Sequence, residues 1–429
     1  MQGAAIGAGR SEQRVFSERL APWLPVLVIA YPMTVWPLLV GSQTSVFVDL
    51  LPAQGDASST ALNRIYFLPL FAAALWVCLM QPSYRRISIP APANVLLFTF
   101  LVWAGLTALW SYDPGITLRR LLLEVAILGI PFLAATGLRD PREFLDRLYW
   151  LHVANLIVNL PVIALETPGP LGYEGIYPQK NYLGAIMAMT VLISLYQVIG
   201  GRRLMRWVGL ATLVIAIGLI MLSRSKTSLG LAVIVPVFAT ILALGMRNLR
   251  ISPAISMLGI VLLLFGIYKV GAESGTWEFG DLAETLLGDR TLTERTAIWD
   301  FAFTMIERKP WFGWGYQAFW EMGPGSPVFR EGPGFVAKMP HAHNGYIDTA
   351  LQTGYAGLAI LVLFLLAAYD QTRIAIDRFL PAGIFMLSII VMTTLHNGLE
   401  SSFFRGFDDV FVMLIVVLSA TAPWVRRQA

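Results

Sequence analysis

The chain has 429 residues, of which 56% are hydrophobic and only 14% charged, against roughly a quarter charged in soluble domains. The formal net charge of +4 is too small to point to nucleic acid. A lone cysteine, Cys78, inside an apolar run excludes an internal disulfide or a thiolate metal centre.

Apolar windows longer than about 18 residues, the length that crosses a bilayer as helix, recur along the whole chain. The short segments of alternating polarity that build a transmembrane barrel are missing. The expectation is an all-α, polytopic membrane protein with about twelve transmembrane helices. They fall at 21–40, 64–82, 92–111, 117–136, 146–166, 181–199, 206–222, 228–246, 252–270, 344–368, 380–399 and 408–424. The polar, basic start MQGAAIGAGRSEQRVFSERLA leads into a long apolar run without a small-residue cleavage site, so a retained first span is expected rather than a signal peptide.

Loop arginines set the orientation. One set of loops carries Arg10, Arg14 and Arg19, then Arg85 and Arg86, then Arg139, Arg142 and Arg147. The same set continues with Arg202, Arg203 and Arg206, Arg247 and Arg250, Arg373 and Arg378, and Arg426 and Arg427. That side is expected to be cytoplasmic, with both termini inside. The chain then divides into spans 1–9 over residues 1–270, a long outward segment over 271–343, and spans 10–12 over 344–429.

Within the outward segment, Ala297, Ile298, Phe301, Ala302, Met305 and Ile306 recur with a helical period, which predicts an amphipathic helix stopped by Pro310. Trp311, Phe312, Trp314, Tyr316, Phe319 and Trp320 follow. They suit the headgroup level of a bilayer, or simple packing against the membrane end of the protein. GPGSPVFREGPGF reads as loop. No internal repeat is visible, which weakens a transporter built from two related halves.

Outward loops should be poor in Arg and Lys, yet several hold a cation at a helix end. Arg119 and Arg120 open the fourth span, Lys180 and Asn181 the sixth, and Arg405 lies between the last two. Arg224 and Lys226 sit in a tight turn, SRSKT, between the seventh and eighth spans. The outward segment adds Arg290, Arg295, Arg308, Lys309, Arg330 and Lys338. Snorkelling to lipid phosphates accounts for the last four. Arg224 and Lys226 have little else to do in so short a turn. A guanidinium fork with an adjacent ammonium suits phosphate oxygens, and the helix start at Lys180-Asn181 adds free backbone N–H groups. Together these cations suggest an outward pocket for a multiply charged anion.

Two of the four histidines, His341 and His343, lie where the outward segment meets the tenth span, in PHAHNGYIDTALQTGYAGL. Two apart, they do not share a helical face and make a poor helical metal pair, so no metal is expected. A neutral imidazole can take a proton from a sugar hydroxyl. Asn344 and Asp348, four apart, can share a face, where Asp348 would orient a neighbour or a substrate hydroxyl. A histidine merely capping the span is the alternative. His396 is a second outward candidate, and His152 is read as structural.

The run His343-Asn344, nine residues, then Gly354-Tyr355-Ala356-Gly357 resembles the junction motif of the O-antigen ligase and Wzy polymerase superfamily. YPQKNYLG, SRSKTSLG, LTERTAIW and GWGYQAFW look most like its exopolysaccharide polymerase (ExoQ-type) branch, over about residues 170–370. The resemblance implies a metal-independent, inverting glycosyltransferase of the helical GT-C type at the periplasmic face of the inner membrane, without cofactor. It implies an undecaprenyl-diphosphate-linked oligosaccharide as donor, a glycan or glycolipid as acceptor, and a chain-length-control protein as a partner. His343 then matches the residue that activates the acceptor, Arg224 and Arg295 match residues that hold the diphosphate, and Lys180 lies in the family's K-N element. Two departures stand out: Glu294 precedes Arg295 where many relatives have Gly, and the fourth residue after Arg224 is Ser228 rather than Leu. A ligase passing finished glycan to lipid A core is the nearest alternative. A transporter of precursors would spread charge through the depth of the bundle.

Overall fold

A computed structural model describes residues 12–41, 61–81, 91–169, 172–274, 295–320, 323, 325–421 and 423–424. Arg290, and Arg10, Arg85, Arg86, Arg426 and Arg427 of the orientation argument, lie outside the described residues.

Helices stand at all twelve expected positions. They are α1 (Glu12–Leu39), α2 (Ala61–Met80), α3 (Pro92–Leu106), α4 (Pro114–Ala135), α5 (Pro141–Leu165) and α6 (Lys180–Gly200). After them come α7 (Arg203–Ser223), α8 (Lys226–Leu249), α9 (Pro253–Glu273), α10 (Arg295–Arg308), α11 (Gly345–Arg378), α12 (Leu380–His396) and α13 (Asp409–Ala420). Among the described residues, nine helices are long and apolar enough to cross a bilayer. α12 and α13 are shorter, and α4 carries Arg119, Arg120 and Glu124. The starts follow local chemistry. α4, α5 and α9 open on proline, whose missing N–H costs nothing in a first turn. Asp113, Asp140 and Ser252 cap them by accepting from Ile116 N, Arg142 N and Ile255 N.

α6, α12 and α13 form the centre, with α6 packed on α7, α8 and α12, and α13 on α4 and α12. α6 is 78% buried over its apolar window and α9 only 17%, although both are apolar throughout. A helix apolar all round is either core or lipid-facing, and the bundle holds one of each. In lipid, helices associate by close packing of small residues rather than by expulsion of water. Gly184 shows this: a Cβ there would meet Ser228 Oγ at 2.6 Å and Ser225 Cβ at 2.8 Å.

The described part of the segment between α9 and α11 is more integrated with the bundle than a surface helix at the headgroup level would be. Ile298, Phe301, Ala302, Met305 and Ile306 of α10 are buried, as the periodicity predicts, in a second core with Phe319, Trp320, Ala342 and the first turns of α11. Of the aromatic run, Tyr316, Phe319 and Trp320 are buried and only Trp311 and Phe312 are largely exposed. Next to this core α11 is broken. Gly354 has φ 70° and ψ −179°, outside any helix. The carbonyls freed at the break are taken by neighbours: Trp314 N donates to Leu351 O (3.0 Å), Gly315 N to Gln352 O (2.9 Å), and Trp103 Nε1 to Thr353 O (2.9 Å). Tyr355 N donates back to Pro310 O at 2.7 Å. In a bilayer an interrupted helix is tolerated only when its backbone groups find such partners. A Cβ at residue 354 would lie 2.2 Å from the Trp311 carbonyl, so both conformation and space require glycine.

Candidate active site

Alternating helix direction gathers the end of α12 and the starts of α6, α11 and α13 at one end of the bundle, with α10 beside them. The histidines sit there in a loop, not on a helix. His343 takes φ 51°, a left-handed conformation uncommon for a side chain of its size. It is held there on both sides. The N–H of Ala342 donates to Asp348 Oδ1 (3.1 Å) and its carbonyl accepts from Trp299 Nε1 (2.8 Å). Asn344 caps α11 by accepting from Tyr346 N and Ile347 N, and its own N–H donates to Ser401 Oγ at 2.9 Å. Gly345 N reaches the carbonyls of Asn397 and Glu400 at 2.8 and 3.1 Å. The histidine loop is thereby stitched to the loop joining α12 and α13.

That stitching brings in Glu400. Its Oε2 lies 3.0 Å from His343 Nδ1, and its Oε1 lies 3.1 Å from Arg295 Nη2. The three side chains are only 19–29% exposed. Burial alone would raise the Glu400 carboxyl, but the hydrogen bond from His343 and the charges of His343 and Arg295 hold it below the usual glutamate range. An ionised carboxylate can only accept, so His343 Nδ1 donates to Glu400, an arrangement that in the neutral imidazole leaves the lone pair on Nε2. His341 is a different group. Burial, then the charges of Arg405, His343 and Arg295, push it well below the ordinary imidazole value. It stays neutral, its ring centroid 4.1 Å from that of His343, and its Nδ1 accepts the His343 backbone N–H at 3.1 Å.

A cavity of about 60 Å³ opens on this group. His341, His343, His396 and Glu400 line it with Asn181 and Tyr182 from the start of α6 and Arg405 from the α12–α13 loop. His396 and Arg405 were both legible as outward polar residues at span ends. Glu400 was not singled out in the sequence. The available signal was HNGLESSFFRGFDD, a polar string between two apolar spans that carries three carboxylates and an arginine.

The other expected site residues divide. Arg295 joins the histidine through Glu400, so its guanidinium is already engaged by a carboxylate. Asn181 lines the cavity, and it accepts from Ser225 Oγ at 3.3 Å, which ties the Arg224 turn to the same rim. Arg224 itself, at φ 53° as the cap of α7, is exposed, as is Lys226. Neither lines this cavity or the larger one beside it, and Lys180 and Arg119 line neither. Arg120 lines the larger one, and its Nη1 donates to Gln317 O at 2.6 Å. Asn344 and Asp348 both serve the histidine loop. Asn344 is a cap rather than a residue on the face of α11, and the Oδ1 of Asp348 is taken by Ala342 N and Trp320 Nε1 (2.7 Å). Asp348 therefore orients the histidine loop, one of the two roles expected of it.

The spacing reason against a metal also needs correction. It assumed a helix, whereas the loop puts one ligand atom each of His341, His343 and Glu400 within 4.8 Å of one another. Several of these donor atoms already have protein partners. Both Glu400 oxygens and the Nδ1 of each histidine are hydrogen-bonded, and two guanidiniums stand beside them.

Comparison with known proteins agrees with this architecture. Residues 211–362 match the O-antigen ligase family, a stretch that holds Arg224, Arg295, both loop histidines and the Gly354 break but neither Lys180 nor Glu400. The chain is also 26% identical to the exopolysaccharide production protein ExoQ of Rhizobium meliloti over 339 residues, 73% of this chain and 72% of that one. The protein is thus a helical, multi-pass membrane protein whose residues 211–362 are similar to the O-antigen ligase family.

Proposed function

We propose that the protein is a glycosyltransferase of the polysaccharide polymerase type, with a GT-C-like, twelve-span bundle in the bacterial inner membrane. It would transfer glycan from an undecaprenyl-diphosphate-linked donor to a sugar hydroxyl at the periplasmic face. The observation that carries this reading is the Arg295–Glu400–His343 chain of charge-assisted contacts at the mouth of a membrane bundle. A carboxylate that fixes the imidazole tautomer and leaves Nε2 as acceptor is the arrangement a general base needs. The arginines Arg142, Arg203, Arg247 and Arg378 cluster at the helix ends opposite the site, which by the positive-inside rule turns the site outward.

In the reaction His343 Nε2 takes the proton of the acceptor hydroxyl as its oxygen bonds to the anomeric carbon. The bond from that carbon to the diphosphate breaks, and its electron pair leaves with the phosphate. Attack opposite the leaving group inverts the centre. Arg224 and Lys226, next to the α6 N-terminus, supply exposed cations for the diphosphate, and Arg405 faces it from within the cavity. Such groups accelerate transfer only as far as they hold the developing charge better than the ground state. Arg295 acts on Glu400 rather than on phosphate.

Purified protein incubated with lipid-linked oligosaccharide alone, in EDTA, is expected to give a ladder of products. His343→Ala is expected to lose the ladder while eluting as a monodisperse, folded protein. Full transfer by His343→Ala would refute the base assignment, and loss of transfer in EDTA would favour a metal on His341, His343 and Glu400. Product only after lipid A core is added would make the protein a ligase.

A further inference from the structure

One buried acid has no part in the mechanism above. Glu124 lies in the middle of α4 and is fully buried. A carboxyl inside a membrane span is costly, and such residues mark function by default. Glu124 lines neither the histidine cavity nor the larger one beside it. Its Oε2 instead accepts from the backbone N–H of Gly406 at 2.7 Å. Gly406 is 282 residues away in sequence and belongs to the α12–α13 loop.

The bond falls beside a residue of the site. Arg405 stands between two left-handed residues, Phe404 at φ 52° and Gly406 at φ 67°. A phenylalanine keeps that conformation only where its surroundings hold it. The Phe404 carbonyl accepts from the Tyr316 hydroxyl at 2.9 Å and from Gln317 Nε2, and its ring stacks on Phe100 of α3 with centroids 3.7 Å apart. Glu124 holds the other side of the turn. Both neighbours of Arg405 are thus fastened to the membrane bundle, while its own side chain is half-buried, lines both cavities and donates from Nη1 to Ser401 O at 3.2 Å. A long side chain on a fixed turn can be aimed by its backbone. We infer that Glu124 is a positioning residue: by accepting from Gly406 N it sets the 404–406 turn and aims the Arg405 guanidinium into the histidine cavity. The inference rests on the glycosyltransferase reading for what Arg405 faces, but not for the link between Glu124 and Arg405.

A double-mutant cycle in the full chain tests that link. The transfer rate is measured at saturating lipid-linked oligosaccharide. Glu124→Leu, which fills the space but cannot accept, is expected to slow transfer about tenfold through misplacement of Arg405. Arg405→Ala is expected to slow it about a hundredfold, and the double variant to lie within about twofold of Arg405→Ala. Glu124→Gln, whose amide oxygen still accepts from Gly406 N, is expected to stay within about threefold of wild type. If Glu124→Leu does not fold, Tyr316→Phe, which removes the hydroxyl from the Phe404 carbonyl, takes its place in the cycle. Losses that multiply in the double variant, no loss in Glu124→Leu, or a glutamine variant as slow as the leucine one each overturn the inference. The link is also read without turnover. In a chain with Cys78→Ala and Arg405→Cys, the rate of modification by an anionic thiol reagent is expected to change at least about threefold on adding Glu124→Leu and to hold on adding Glu124→Gln. An unchanged rate with leucine overturns the inference even if the wild type transfers no glycan, whereas failure of the enzymatic reading shows only in the transfer assay.

Discussion

Two positively charged places stand out in this sequence, the turn at Arg224-Lys226 and the segment from Arg295 to His343, and the structure treats them differently. At the turn the side chains of Arg224 and Lys226 are exposed while Ser223, Ser225 and Ser228 are buried, and Ser225 donates to Asn181 at the cavity rim. The second place is part-buried and over-determined, with Arg295, Glu400 and His343 joined in a row and the loop backbone pinned by Asp348, Trp299 and Ser401. A part-buried imidazole and exposed cations suit different ends. In the proposed transfer the base would have to be aimed before the acceptor arrives, whereas a diphosphate on a moving lipid would be met by side chains that adjust to it.

The largest effect that would sharpen this contrast is at Glu400. Glu400→Gln keeps the shape but removes the charge that fixes the tautomer, and it is expected to lower the transfer rate by about a hundred- to ten-thousand-fold with little change in donor half-saturation. A variant that mainly weakened donor binding would place Glu400 with the substrate instead. Next in size is the pair Arg295→Ala and Arg224→Ala, assayed for rate and half-saturation separately. Arg295→Ala is expected to reduce the maximal rate. Arg224→Ala is expected to raise the donor half-saturating concentration about tenfold, with an effect that shrinks as salt screens exposed charge. If both variants behave alike, the division between aiming and holding falls.

The smallest effect is in stability. Because the Glu400 carboxyl is held below its usual value in the fold, its contribution is complete above the unfolded-chain value of about 4.3 and disappears as the pH falls through the lower folded value. The gap in unfolding temperature between wild type and Glu400→Gln is therefore expected to be flat from neutral pH to about pH 5 and to close below about pH 4. A gap that closed near neutrality would show that His343 and Arg295 do not hold the charge.

Much of the scaffold was legible because membrane spans announce themselves by length and hydropathy alone. The face of α10 was legible from its period, and the histidine loop, Arg224 and Arg405 from being polar where loops should be plain. What stayed hidden depends on contacts between distant residues. Nothing local pairs His343 with Glu400, 57 residues later. Nothing local says that Asp348 turns toward Ala342, because that follows from Trp320 and the histidine loop folding over the start of α11. The helical spacing rule failed for His341 and His343 because both precede the helix, and a left-handed residue swings their rings together.

The interruption at Gly354 makes α11 two bodies in mechanical terms. The first turns, which carry Asn344 and Asp348, are fastened to the 310–317 segment and to Trp103 of α3, while the longer remainder runs on through the lipid. A rod without that joint would lever every tilt of its buried length, as bilayer thickness varies, into the imidazole at its tip. With the joint, the tip answers to its own outer neighbours, and aim is kept while the shaft leans.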